Sequence, residues 1–135
     1  MTQEEKQLLL QDLCARLHNH PIVHVEHNVW GFIETADLQV YGYVGTLKLL
    51  REDNETFCYL PIEECRPYLR PMDSMTEEEY REFLDTQDWE YGDSSHPKYE
   101  YTYKTFDWLN KKMFDYRGLI PMGLALPAKE EMYKI

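Results

Sequence analysis

Between Ile22 and Leu60 the chain is cut into short segments rich in Val, Tyr, Phe, Leu and Thr, with breaks too brief to hold a helix. The segments are Ile22–His27, Val29–Thr35, Leu38–Val44, Thr46–Leu50 and Thr56–Leu60, and the breaks fall at Asn28, Ala36-Asp37, Gly45 and Arg51–Glu55. Such residues favour strands, and in the first segment Val23 and Val25 alternate with His24 and Glu26, so one face is apolar. Parallel neighbours need crossovers of about a dozen residues or more, so these strands must pair mainly antiparallel. A sheet this small is not stable alone. An α+β fold follows: a small antiparallel sheet or curled barrel over about residues 22–60, with a helix laid across one open side.

That helix precedes the sheet. Leu9, Leu13 and Leu17 recur every four residues, and Leu10 and Cys14 widen the stripe. Thr2 and Glu5 have capping-box spacing, while Asn19-His20-Pro21 stops the helix, which predicts a span of about residues 2–17. After Leu60, one helical turn is expected at Ile62–Cys65, and Pro67 and Pro71 hold Tyr68, Leu69 and Arg70 extended. Ser74 and Glu77 repeat the capping spacing and predict a second helix over residues 74–86. Trp89–Tyr91 and Lys98–Tyr103 read as strands around a turn at residues 92–97. A third helix is expected over residues 105–113 with Phe106, Leu109 and Met113 buried, followed by an extended C-terminal strap at residues 115–127. A length of 135 residues suits a single domain spanning residues 1–135. The expected core includes Leu9, Leu13, Leu17, Phe83, Trp108, Leu109 and Leu119.

Charge narrows the partners. The net charge is −11, and residues 73–93 hold nine acids against the single base Arg81, so eight of those charges lie there. Nucleic-acid binding depends on Lys and Arg displacing counterions from phosphates, and no basic stripe exists. Direct binding to nucleic acid or to an anionic membrane is not expected; a basic protein partner is. The acidic start lacks a cleavable apolar core and no run of about eighteen apolar residues occurs, so a cytoplasmic protein is expected. Three cysteines without framework spacing fit a reducing compartment.

Four groups of residues invite a functional reading. His18, His20, His24 and His27 follow Cys14 closely, and imidazole with thiolate suits zinc. A helix end and a solvent-facing strand explain them as well, and Cys58 and Cys65 are seven apart, so no metal is expected. Glu78, Glu79 and Glu82, with Glu77, form the densest acidic run and serve as a candidate binding face. Consecutive acids on a helix point to different sides, so this is a solvated face rather than an acid–base pair. Asp115, Tyr116 and Arg117 form the second candidate patch, because Tyr and Arg dominate binding hot spots. Alternatively, Asp107 or Asp115 pairs with Arg117 and pins the strap. The cysteines lack electropositive neighbours, and there is no serine elbow, phosphate-cradling loop or His-Glu zinc pair. No catalytic residue and no cofactor are expected.

Several stretches are distinctive: Arg66-Pro67-Tyr68-Leu69-Arg70-Pro71-Met72, Ser74-Met75-Thr76-Glu77-Glu78-Glu79, Phe106-Asp107-Trp108-Leu109-Asn110, Phe114-Asp115-Tyr116-Arg117-Gly118-Leu119-Ile120 and Gly123-Leu124-Ala125-Leu126. Together with the opening residues 8–17, they resemble a family of short uncharacterised proteins of gut Bacteroidetes and their phages and mobile elements. The likeness covers the first seventeen residues and most of the chain after Arg66. Relatives often carry a His-His pair at the positions of Lys112 and Met113, so any metal or proton chemistry of that pair is not implied here.

These observations rank three functions. The first is a non-enzymatic protein-interaction module of a mobile element or its host. The second is a small enzyme or ligand-binding domain, with a site between the β unit and the Tyr-rich C-terminal half. The third is an acidic inhibitor whose residues 73–93 imitate nucleic-acid phosphates.

Overall fold

The computed structural model describes residues 1–29, 31–91 and 97–133. Its first helix, α1 (Gln3–Ala15), begins as expected: Glu5 N–H donates to Thr2 Oγ1 at 3.1 Å, and Thr2 N–H donates to Glu5 Oε1 at 2.9 Å. A turn of 3₁₀ helix, Leu17–Asn19, and His20 at φ 51° lead into the sheet.

The sheet has six strands in the order β4-β3-β2-β1-β5-β8, and only its last pair is parallel. They are β1 (Ile22–Val29), β2 (Phe32–Tyr43), β3 (Leu47–Leu50), β4 (Phe57–Leu60), β5 (Cys65–Leu69) and β8 (Leu126–Pro127). Among the described residues, the remaining elements are α2 (Glu77–Asp85), a two-stranded ribbon of β6 (Asp88–Tyr91) and β7 (Pro97–Glu100), α3 (Tyr103–Lys111), and two further 3₁₀ turns at Ile62–Glu64, where a helical turn was expected, and Met72–Ser74. This is an α+β fold. Among the described residues, no helix is long and apolar enough to cross a membrane.

Several boundaries differ from expectation, each for a local reason. β1 runs through Asn28 to Val29. The break expected at Ala36-Asp37 is absent, and β2 is one strand of 12 residues. Aspartate disfavours strands in general, but Asp37 stands opposite His24 and bonds across the sheet to its ring. That contact outweighs a propensity worth about 1 kcal/mol or less. The segment around Pro67, expected only to be extended, is a strand of the sheet, because β5 pairs with β1 from Val23↔Pro67 to Val25↔Cys65. The second helix starts three residues late: Thr76 and Glu79 make the capping box, while Ser74 donates its hydroxyl to Pro71 O within a 3₁₀ turn. The third helix starts early, so Tyr103 is helical rather than the end of a strand. Tyr99, Tyr101 and Tyr103 are all exposed, so their alternation marks no buried face. The turn at residues 92–96 and the expected strand's Trp30 lie outside the described residues.

Among the described residues, two apolar clusters fill the fold. The larger joins Leu9 and Leu13 of α1 to the inner sheet face, including Val23, Val40, Leu49 and Leu69, and to Leu119 and Leu124 of the tail. The smaller centres on Phe83, Leu109 and Phe114. Leu17 and Trp108 are only partly buried, and Phe106, expected in the buried stripe, is 41% exposed. The tail packs as expected but in turns, with left-handed Gly118 and Gly123 (φ 74° and 77°), and is strand-like only at Leu126–Pro127. Tyr133 pins its end: the hydroxyl donates to Tyr68 O at 2.7 Å and accepts from Ile22 N–H at 2.8 Å.

Candidate binding surface

Asp115 is buried, while Tyr116 and Arg117 are only partly so, and all three are tied to the body of the fold. The Asp115 carboxylate accepts the N–H groups of Leu119 and Ile120 at 2.8 and 2.9 Å and closes the turn that starts the tail. Arg117 does not pair with Asp107 or Asp115. Its Nη1 reaches Asp12 Oδ1 on α1 at 2.8 Å and Tyr116 Oη at 2.6 Å, while Tyr116 donates to Asn110 Oδ1 at 2.8 Å.

The hub of this network was not visible in the sequence. Arg16 and Asp12 are both fully buried, one helical turn apart, and joined by two hydrogen bonds of 2.9 and 3.0 Å. Arg16 also donates to Phe114 O at 2.7 Å and to Leu109 O at 3.4 Å. A charged pair on a helix reads as a solvent face by default. The available signal was position: Asp12 follows Leu9 by three residues and Arg16 follows Leu13 by three, which places both beside the buried stripe.

The acidic run divides by environment. Glu79 Oε1 and Oε2 accept both arms of Arg70 at 2.6 and 2.7 Å, and Arg70 lies over the Phe114 ring, 4.3 Å from its centroid. Glu79 therefore fastens α2 to the core. The Arg70 hydrogen bonds hold its carboxyl down at about 2, below the usual carboxylate range. Its folded-state pKa lies below the unfolded value, so its contribution is complete above about pH 4.5 and fades as pH falls towards 2. We expect the stability difference between wild type and Glu79→Gln, at most about 3 kcal/mol, to shrink across that window. Urea titrations at successive pH values check this, and a difference independent of pH would contradict it.

Glu78 and Glu82 remain on the surface, as do Asp85 and Asp88. Beside them runs a row of rings. Trp108 stacks between Phe83 and Phe114, with centroids 5.8 and 5.5 Å away. Tyr101 meets Phe83 and Phe106 edge-on at 5.5 and 5.6 Å, and Phe106 leans on Tyr116. Trp108 Nε1–H donates to Glu82 Oε2 at 3.3 Å, joining the ring row to the acidic face. The outer rings are wet: Tyr80, Tyr99, Tyr101 and Phe106 are 41–53% exposed and Tyr103 is 74% exposed. A depression of about 500 Å³ lies between α2 and the ribbon, with Leu84, Asp85 and Tyr99 in its walls.

Three of the candidate histidines serve the sheet, while His18 lies in the 3₁₀ turn before it. His20 Nδ1–H donates to Val40 O at 3.2 Å, and the ring stacks on Tyr41. His24 lies 3.0 Å from Asp37, which also accepts from Tyr68 and Lys129 at 2.9 and 3.1 Å. His27 lies 2.7 Å from Glu64. Among the described residues, no three His, Cys, Asp or Glu side chains gather closely enough to hold a metal ion. Cys65 is buried, which pushes its thiol up to about 12.

No family model, curated protein or solved structure matches the chain.

Proposed function

We propose that the chain is a non-enzymatic protein-interaction module, of a mobile element or its host, that binds a basic protein through the face built by α2, β7 and α3. One coincidence carries this reading: a row of half-exposed aromatic rings lies against the exposed carboxylates of Glu78, Glu82, Asp85 and Asp88, among which Arg81 is held by Glu77. Aromatic rings hold large contact areas at little entropic cost, and their faces attract Lys and Arg. Carboxylates beside them attract the same cations over a longer range and speed encounter. The depression, whose walls also hold Arg81 paired with Glu77, would seat one cationic side chain at Asp85, with the Tyr99 ring along its stem. Asp115, Tyr116 and Arg117 support the surface from below, since Tyr116 backs Phe106. Glu79 contributes little to the field because Arg70 neutralises it.

A fluorescein-labelled oligoarginine peptide tests the reading by stopped-flow binding. Wild type should bind saturably, with an on-rate that falls as salt rises. Changing Glu78→Gln, Glu82→Gln and Asp85→Asn together should slow association roughly threefold or more, while Tyr99→Ala should chiefly speed dissociation. Glu4→Gln with Glu55→Gln removes two exposed charges elsewhere and should do little. Equal effects of the two charge sets, with none from Tyr99→Ala, would reduce the face to a source of solubility.

A further inference from the structure

The sheet leaves part of one strand edge open, lined by residues other than those of the acidic ring-lined face. β3 pairs with β2 only between Gln39 and Tyr43, so β2 from Phe32 to Leu38 has β1 on one side and, among the described residues, no strand on the other. Val40 N–H donates to Pro21 O at 2.9 Å, towards β1. Backbone groups alternate sides along an antiparallel strand, so Glu34, Ala36 and Leu38 also turn theirs to β1, and Thr35 and Asp37 turn theirs outward.

A groove of about 920 Å³ opens along this edge. Glu34, Thr35 and Ala36 all line it. Successive strand residues point to opposite faces, so three in a row border a groove only when the strand's edge faces it. The same holds for the opposite wall, where all four residues of β4 line the groove and β4 is the sheet's terminal strand. The floor is apolar, formed by Val25, Leu38, Cys58 and Leu60. On the rim, Glu34 and Glu52 are exposed acids against Arg51, while Asp53 is committed to the N–H groups of Glu55 and Thr56 in its own loop.

We propose that this groove takes an extended segment of a partner protein as an added strand, with apolar side chains turned to the floor and cationic ones to the rim. The outward N–H and C=O groups of Thr35 and Asp37 supply backbone hydrogen bonds, and the floor selects alternate side chains, which is how strand addition combines affinity with specificity. Charge decides the second half of the motif. The rim has one more carboxylate than cation beyond the self-bonded Asp53, on a chain of net charge −11. An open edge without proline or lysine is one that proteins ordinarily protect.

The test uses a labelled peptide that alternates valine and lysine, beside one of equal composition with its valines grouped together. The alternating peptide should bind at least about tenfold more tightly. Thr35→Pro removes one outward N–H where an edge strand tolerates proline, and should weaken binding at least about tenfold, whereas Thr35→Val keeps the N–H and the affinity. In wild type, the peptide should slow hydrogen exchange at the Thr35 and Asp37 amides, a readout that does not depend on the variant folding. Changing Glu78→Gln and Glu82→Gln weakens the attraction of the acidic face for both cationic peptides alike, and should leave the roughly tenfold preference for the alternating peptide and its protection of the Thr35 amide in place, which separates this site from the acidic face. Equal binding of the two peptides, a folded Thr35→Pro protein that binds as wild type, or unchanged exchange at Thr35 would overturn the proposal. So would a homodimer that Thr35→Pro dissolves, because the groove's occupant would then be a second copy of this chain.

Discussion

Asp12→Ala is expected to lower the unfolding free energy by about 3–5 kcal/mol, the range for breaking a buried ion pair from one side. The variant strands Arg16, which is fully buried, without its carboxylate, and takes from Arg117 the same partner. Two carbonyl acceptors, Leu109 O and Phe114 O, still bond Arg16 but do not neutralise it. The consequence spreads because of where the pair sits. α1 belongs to the larger apolar cluster, whereas Leu109 and Phe114 belong to the smaller one. Arg16 is thus a polar bolt between the two. Adding Arg16→Met to Asp12→Leu removes both buried charges, so the double variant should be less damaged than the sum of the single changes. Urea denaturation followed by Trp fluorescence and by circular dichroism checks both statements. A loss under about 1 kcal/mol for Asp12→Ala would show that the pair contributes little.

Leu13→Ala is expected to cost about 2–5 kcal/mol. Leu13 has no exposed surface and packs against the inner sheet face with Leu9. Truncation removes three carbons from a buried cluster that also holds Val23 and Val40 of the sheet and Leu119 and Leu124 of the tail. Rigid walls limit collapse, which places the cost in the upper half of that range. An unchanged denaturation midpoint would make α1 an appendage rather than a wall of the core.

Much of the fold was legible because its signals are local. Capping at Thr2 and Glu5 and the alternation in residues 22–27 each depend on a few neighbouring side chains, and the structure contains both. Errors arose where a local signal had two readings. Ser74 with Glu77 and Thr76 with Glu79 have the same spacing, and the second pair forms the cap. The candidate site was less legible. Glu78 and Glu82 stayed on the surface, but Glu79 found Arg70 nine residues earlier, and Arg117 found Asp12 at a separation of 105 residues. No spacing rule reaches that far.

By itself, the sequence determined the α+β class, the antiparallel pairing of the first strands, the place of α1 and the concentration of acid in residues 73–93. Helix period, strand alternation, short connections and charge are properties of neighbouring residues, so they persist whatever the rest of the chain does. Tertiary structure alone decided that Asp12 and Arg16 lie inside, that Tyr101 and Phe106 sit side by side at the surface, and that, among the described residues, half of β2 has a strand on one side only. Each depends on which distant segments arrive at one place. A carboxylate becomes a core residue only when a guanidinium and apolar walls exclude its water, and a strand edge becomes a groove only when β3 ends before β2 does.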